Sequence, residues 1–395
     1  MNTCFGGEAL NMSVAYFETL NRLLAHAGTG QAQLLLDLDR LDENLAQLRA
    51  QLSAKCKIRI VVKSLASAAL LQYIAQQLSS QRFMVFHFPH LQHIQTLFPQ
   101  GDILLGKPMP IQALQQSDHQ ILGSQNIQWL IDSVERLNQY LHFAQSRQIQ
   151  LRVNLEIDIG LHRGGFADES SFVKALQLIQ ANAPYLKLSG LMGYDAHVSK
   201  LPQPWFKPEI VFQRTQQRYQ FFLQCLGKYF SEAELKDLCL NGAGSASFGL
   251  HQHGTVCNDL AVGSALLKPL DFELSALKAF CPAMWIAAPV LKVIPIVQLP
   301  EIPLWARLFR NQHAVFIYGG YWRGKCEYPE GVKPHALYGR SSNQEMLQLP
   351  KGCQIQIDDY VFIRPSQTEV IISQFAQLHV IRDMKLYAVW STFRE

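Results

Sequence analysis

The sequence has no C-x-x-C pair. Its eight cysteines (Cys4, Cys56, Cys225, Cys239, Cys257, Cys281, Cys326 and Cys353) are scattered over 395 residues. That excludes a thiolate zinc site of close spacing, and it reads as the reduced thiols of a cytoplasmic protein rather than a disulfide framework. Charge is scarce as well: charged residues make up 17% and the net charge is only +4. No Lys/Arg cluster is dense enough to follow a phosphate backbone, so no nucleic-acid partner is expected. Long apolar runs are absent. The most apolar late stretch, residues 279–291, is broken by Pro282 and Pro289 and stopped by Lys292, so no membrane partner is expected either. Residues 1–14 lack the basic-then-apolar layout of an export signal, and Met12 offers a second place to start the chain. Neither G-x-x-x-x-G-K-[ST] nor a G-x-G-x-x-G in a dinucleotide-binding setting occurs, which argues against a nucleotide ligand.

What is present is apolar material in a regular rhythm. Hydrophobic residues reach 48%, enough at this length for a barrel of about 250 residues and a smaller partner. Residues 33–38 are strand-like. Leu41, Leu45, Leu48 and Leu52 then recur at helical spacing behind Asp39, the expected N-cap. A β-rich run over 58–63 precedes a helical stretch over 66–78. Further apolar runs fall at 83–86, 103–105, 129–131, 151–157, 188–192, 238–240 and 260–263, with helical stretches between most of them. Counting from the run that ends at Lys63 gives eight strands in one βα rhythm. The expected fold is therefore α/β, a (β/α)8 TIM-type barrel over residues 33–275. Beyond residue 275 prolines at 282, 289, 295, 300 and 303 punctuate Val/Ile runs. Segments 314–317, 355–357, 361–363 and 370–372 read as strands without helices between them. A second, mostly antiparallel β domain is expected over 276–395, with residues 1–32 left to pack on it.

In a barrel the reactive groups sit where strands end. The first strand ends in Val61-Val62-Lys63-Ser64. A lysine closing an apolar strand loses solvation, which lowers its pKa and suits Schiff-base chemistry. The plainer reading is a lysine whose stem lies in the wall and whose ammonium reaches water. Strand five runs into Glu156, Asp158, Gly160, Arg163, Gly164 and Gly165, either a close approach of backbone to a ligand or a turn with paired charges. After strand six, Tyr194 and His197 are ligand-bonding groups or satisfied rim residues. Strand seven enters Asn241-Gly242-Ala243-Gly244-Ser245-Ala246-Ser247, and strand eight enters Gly263-Ser264. Barrels often build phosphate sites from the loops in these two positions. His87, His90 and His93 straddle Pro89 at a strand end, so they read as surface or rim histidines in preference to a metal site.

Taken in order, a strand ending in lysine, E-x-D-x-G-x-x-R-G-G-F, G-L-x-G-Y-x-x-H, N-G-A-G-S and V-G-S form a set. It resembles the D-threonine aldolase and D-serine dehydratase branch of the alanine-racemase-like, fold-type III pyridoxal-phosphate enzymes. The resemblance covers most of residues 33–270, and residues 103–109 and 130–133 stand where that family has strands three and four. It implies pyridoxal 5'-phosphate as cofactor, held by Lys63 as an internal aldimine. Arg163 is implied to donate to the cofactor's phenolate oxygen and Tyr194 to lie against its pyridine ring. Gly242, Gly244, Ser245, Ala246, Gly263 and Ser264 are implied to hold the phosphate. His197 stays open between ligand contact and supporting group.

The sequence departs from that family at its metal. Metal-dependent members place a His-x-Cys pair after a proline, whereas this chain has Pro365-Ser366-Gln367-Thr368-Glu369. An upstream acidic-acidic-His stretch is replaced by Ser342-Asn343-Gln344-Glu345. Without imidazole and thiolate a zinc site of that design is lost, so no metal is expected; Glu369 alone is a thin case for magnesium. The leading expectation is a zinc-independent lyase, of aldolase or dehydratase type, acting at Cα/Cβ of a small D-amino acid. Gln367, Glu369 or His335 then handle the β-substituent. The alternative is an amino-acid racemase that takes its second acid from Tyr318, Tyr321 or Cys326, although that aromatic cluster reads more readily as a β-domain or dimer-interface core. A third reading, from another class, is a pyridoxal-phosphate-binding homeostasis protein without turnover; the second domain argues instead for a closed, substrate-selecting site in a homodimer.

Overall fold

The computed structural model describes residues 14–116, 119–202, 205–297, 313–336 and 338–393. Met12, the rest of the leader reading, and prolines 300 and 303 lie outside them. The chain divides into two compact units, one centred on residues 48–265 and the other joining residues up to 47 with 266–393. No helix among the described residues is long and apolar enough to cross a membrane.

Strand β1 (Gln33–Asp37) opens the second unit, and all five of its residues are buried. The helix after it, Leu38–Ala50, starts two residues earlier than the expected cap at Asp39 implies. Its N-terminus is held by Asp37, whose Oδ1 accepts the Arg40 N–H at 3.1 Å. Asp39, the expected cap, lies inside the first turn. There its negative charge favours the helix dipole but bonds no orphan N–H of its own helix.

The first unit is a closed barrel of the expected class, but residues 33–47 and 266–275, expected within it, belong to the sheet unit. Strands β2 (Lys57–Val61), β3 (Arg82–Val85), β4 (Asp102–Leu105), β5 (Ile127–Ile131), β6 (Leu151–Glu156), β7 (Leu186–Met192), β8 (Cys239–Gly242) and β9 (Asp259–Val262) run parallel in one closed ring. Closure is made by β9 against β2, with Lys57 opposite Asp259 and Ile60 opposite Val262. Helices such as Val134–Arg147 and Glu169–Ala181 begin on Ser133 and Asp168, whose side chains accept N–H groups of the first turn.

A layer of paired charges fills the barrel toward the N-terminal ends of its strands. Fully buried Arg59 donates Nε–H to Asp259 Oδ1 at 2.7 Å and Nη2–H to Oδ2 at 3.0 Å. Asp259 also accepts from Asn241 at 2.6 Å and Arg82 at 2.8 Å. Such a layer is tolerated because every charge has a partner, and it leaves the opposite rim for chemistry.

In the second unit, β10 (Met284–Ile294), β11 (His313–Tyr318), β12 (Gly324–Tyr328), β13 (Lys333–Pro334), β14 (Gln344–Leu349), β15 (Tyr360–Pro365), β16 (Gln377–Arg382) and β17 (Lys385–Ser391) join β1 in a nine-stranded sheet. Among the described strands of this sheet β1 pairs with β16 in parallel and the other strand pairs are antiparallel. The helix Val14–Ala27 buries Phe17, Leu20 and Leu24 in a core with Leu35, Trp285 and Phe362. Two expected strands fail. Residues 370–372 belong to the short helix Thr368–Ile372, which buries Ile371 and Ile372 on one turn, and a three-residue apolar run carries no period to tell the two apart. Residues 355–357 form no strand and lead into a turn at Asp358, where φ is +71°.

Candidate active site

The first strand ends sooner than the sequence suggests. β2 stops at Val61, and Val62–Leu65 make a single 3-10 turn whose other three side chains are buried. Lys63, half-buried on that turn, carries its Nζ 4.9 Å from the centroid of the Phe86 ring, an aromatic face that suits a cation. Phe86 occupies space next to Gly106 that any side chain there would fill, within 2.4 Å of the ring.

Three serines join the loops after β2, β8 and β9. Ser64 and Ser264 share a hydrogen bond of 2.9 Å between hydroxyls. Ser245 Oγ accepts the N–H of Gly263 at 3.1 Å and of Ala265 at 3.0 Å. With both lone pairs so used, its one hydroxyl hydrogen is left to donate. Gly263 is glycine because a Cβ would stand 2.8 Å from Val61 Cβ and 3.0 Å from Val61 O. The turn that carries Lys63 is thereby packed against the glycine loops.

Tyr194, after β7, leans on the same loop: a Cβ on Gly244 would lie 2.8 Å from Tyr194 Cε2. The Arg163 guanidinium sits 4.8 Å from the centroid of the Tyr194 ring. Arg163, itself 55% exposed, has Nη2 3.6 Å from Glu156 Oε1. Burial raises the Glu156 carboxyl above the usual range, against the pull of Arg163. Asp158 organises the intervening loop, accepting from Gly160 N at 2.9 Å, His162 N at 3.0 Å and His162 Nδ1 at 2.7 Å. Burial pushes its carboxyl up, but these donors outweigh it and hold the group below its ordinary range. His197 is half-buried, and its Nε2 faces Gly160, 3.2 Å from where a Cβ would stand. Its Nδ1 is buried with no hydrogen-bond partner among the described residues. Burial lowers its pKa, with Asp195 and Asp158 opposing.

The barrel thus links Lys63, Ser264, Ser245 and Gly263 in one set of contacts, and Arg163, Tyr194 and Gly244 in another that shares the same loop. Ala246 is buried beside Ser245, and Gly242 packs on Cys257 and His251. Phe86, Asp195, Ser247 and His251 were not singled out by the sequence. Asp195 and Ser247 lie inside motifs read for other residues, while nothing marks His251. His90, expected at a surface or rim, is 1% exposed on the inner side of the helix Phe88–Leu97. Among the described residues no group of three His, Cys, Asp or Glu side chains is arranged to hold a metal.

The remaining candidates belong to the sheet unit. Gln367 donates Nε2–H to Asp271 Oδ2 at 2.7 Å, and Glu369 lies in the first turn of the helix that follows. His335 is buried, and burial pushes the Cys326 thiol up to about 12. Tyr318 and Tyr321 do not form a core of their own domain: they are 44% and 66% exposed. Gly319 and Gly320, with φ of +79° and +138°, turn the chain outward after β11. Tyr321 follows with φ of +59°, a strained setting for an aromatic residue. Buried Glu345 holds it there by accepting the Tyr321 N–H at 2.7 Å, and Arg340, paired with Glu345, lies 5.5 Å over its ring.

Comparison with known proteins agrees with this geometry. The chain is 25% identical over 238 residues to the alanine racemase of Limosilactobacillus fermentum, a match that spans 60% of this chain but only 59% of that protein. The D-threonine aldolase of Filomicrobium marinum superposes with a TM-score of 0.71 at 17% identity, covering 93% of this chain and 96% of its own. The D-threo-3-hydroxyaspartate dehydratase of Delftia sp. HT23 gives 0.70 at 16%, covering 94% and 99%. The family model for the alanine racemase N-terminal domain matches residues 36–269, and the chain belongs to that family of pyridoxal-phosphate-dependent enzymes.

Proposed function

We propose that this chain is a pyridoxal-phosphate-dependent lyase, of aldolase or dehydratase type, that acts at Cα/Cβ of a small D-amino acid without zinc, as a cytoplasmic homodimer. The observation that carries the reading is the serine linkage of the Lys63 turn to the two glycine loops. Those loops fit a phosphate: Ser245 Oγ, which accepts the N–H groups of Gly263 and Ala265, has one hydrogen left to give where the loops after β8 and β9 meet.

The cofactor, when bound, supplies an electron sink for the pair left at Cα as a bond there breaks. The rest is the work of side chains. Lys63 would hold the cofactor through its Nζ and would carry protons on one face of the substrate. Arg163, 55% exposed, would donate to the cofactor's phenolate oxygen. Tyr194, in contact with Arg163 and with the Gly244 loop, would lie against the cofactor's ring. His197, with its pKa lowered by burial, is neutral near pH 7 and serves as a hydrogen-bonding group. In the sheet unit the Gln367 amide, oriented by Asp271, and Glu369 stand where metal-dependent relatives of the resemblance carry histidine and cysteine. They are the groups assigned to the substrate's β-substituent.

A second reading, a racemase, is favoured by one observation: Tyr321 is exposed and held in a strained backbone by Glu345 and Arg340. There its hydroxyl is the second acid. The two readings separate on incubation with D-threonine, D-serine and D-alanine, with and without chelator. Release of an aldehyde or keto acid, insensitive to chelator, is expected. Exchange of the α-proton with inversion and no carbon loss overturns the lyase in favour of the racemase, and inhibition by chelator overturns zinc independence.

A further inference from the structure

Beneath the glycine loop lies a buried pair that the proposed chemistry does not use. Asp195 is fully buried and His251 is 1% exposed. Fifty-six residues apart in sequence, they meet with His251 Nε2 2.9 Å from Asp195 Oδ2. At the ring's other nitrogen, His251 Nδ1 lies 2.8 Å from Thr255 Oγ1. Thr255 Oγ1 also accepts the Cys257 N–H at 3.0 Å and lies 3.1 Å from Gln216 Oε1, which accepts the Val256 N–H at 2.9 Å. Both ring nitrogens are thereby hydrogen-bonded, and the ring is held in place against Asp195.

The other carboxylate oxygen reaches the loop. Ser247 donates to Asp195 Oδ1 at 2.5 Å, and Ser247 Oγ accepts the Gly244 N–H at 3.2 Å. Asp195 is also the residue after Tyr194, whose ring rests on Gly244. His251 itself packs under Gly242, its Cε1 3.4 Å from where a Cβ would stand. One carboxylate thus sets the entry to the loop, the serine that closes its turn, and the backbone of the ring-facing tyrosine.

We propose that Asp195, oriented by His251 and acting through Ser247, is the positioning residue that shapes the 243–247 loop for a phosphate monoester. The proposal rests on the cofactor reading above. A polar group sealed from water bonds more strongly than at the surface, and a half-satisfied network loses its geometry. The cost of breaking this one therefore falls on the loop and on what the loop holds.

The test compares two ligands on apo-protein: pyridoxal 5'-phosphate and pyridoxal, which lacks the phosphate. Ser247→Ala removes only the arm to the loop and leaves the Asp195–His251 pair intact; Asp195→Ala removes both arms. Each is expected to raise the Kd for pyridoxal 5'-phosphate about tenfold or more, the weight of a hydrogen bond to a charged group, with the Kd for pyridoxal changed much less. Asp195→Asn recovers part of what Asp195→Ala loses, because its amide keeps one hydrogen-bonding atom toward His251 and one toward Ser247. A folded Ser247→Ala protein that keeps the wild-type preference for the phosphorylated ligand overturns the proposal, as does an Asp195→Asn protein as weak as Asp195→Ala. A wild-type protein that binds neither ligand overturns the cofactor reading itself, and this proposal with it.

Discussion

Ser64 and Ser264 lie 2.9 Å apart, hydroxyl to hydroxyl, and both are buried. One follows Lys63 on the turn after β2; the other follows Gly263 in the loop after β9. Because β2 and β9 are the strands that close the barrel, this bond ties the first loop to the last. The lysine stands on a turn that two strands hold, and its amine is aimed by the same contact that shapes the expected anion site.

Removing that contact is expected to show in two places. Ser264→Ala gives up a buried hydrogen bond of about 1 kcal/mol, which lowers the melting temperature by a few degrees at most for a protein of this size. It also frees the Lys63 turn, so the affinity for pyridoxal 5'-phosphate falls more than the stability does. Thermal unfolding of apo-protein and a cofactor titration check this pair of effects. Equal stability and equal affinity in the variant contradict it.

The buried His90 makes the barrel sensitive to acid. Burial, with His87 and His93 adding repulsion, lowers its pKa from 6.5 to about 4. The unfolded chain therefore takes up a proton at a higher pH than the folded one, and the stability contributed by the neutral ring is present above pH 6.5 and lost as pH falls toward 4. The loss amounts to about 3 kcal/mol across that window. In urea unfolding between pH 7 and 4, His90→Gln is expected to show a shallower decline than the wild type by about that amount. Parallel declines sink the assignment.

Tyr321 divides the two chemical readings. Tyr321→Phe keeps the ring under Arg340 and removes only the hydroxyl. If the hydroxyl is the second acid, exchange of the substrate's α-proton with inversion falls by about 10²–10⁴-fold. The lyase reading expects cleavage to change by less than about tenfold, since the general acid or base of that reaction lies elsewhere. Proton exchange in deuterated solvent, followed by NMR alongside aldehyde release, separates them.

Much of the barrel was legible because its strands are buried on both faces and read as unbroken apolar runs separated by capped helices. Seven runs after residue 80 each overlap an observed strand. That the lysine, the arginine and the glycine loops follow barrel strands was legible too, since each lies in the loop after an apolar run. What escaped was long-range or short-range in the extreme. His251 has no spacing that ties it to Asp195, and only the ring of strands brings them together. The run at 370–372 is too short to carry a period, and its capture as a helix turns on the burial of Ile371 and Ile372. Tyr321 reads as β-domain or dimer-interface core because aromatic clusters usually are; next to two glycines with positive φ it is exposed, so it is not part of its own domain's core.

The most direct test is to load the protein with pyridoxal 5'-phosphate, reduce it with borohydride, digest it and map the labelled lysine by mass. The account predicts label on Lys63, with both the label and the visible absorbance lost in Lys63→Ala. Label on another lysine, such as the buried Lys268, or an unchanged spectrum in the variant, contradicts it.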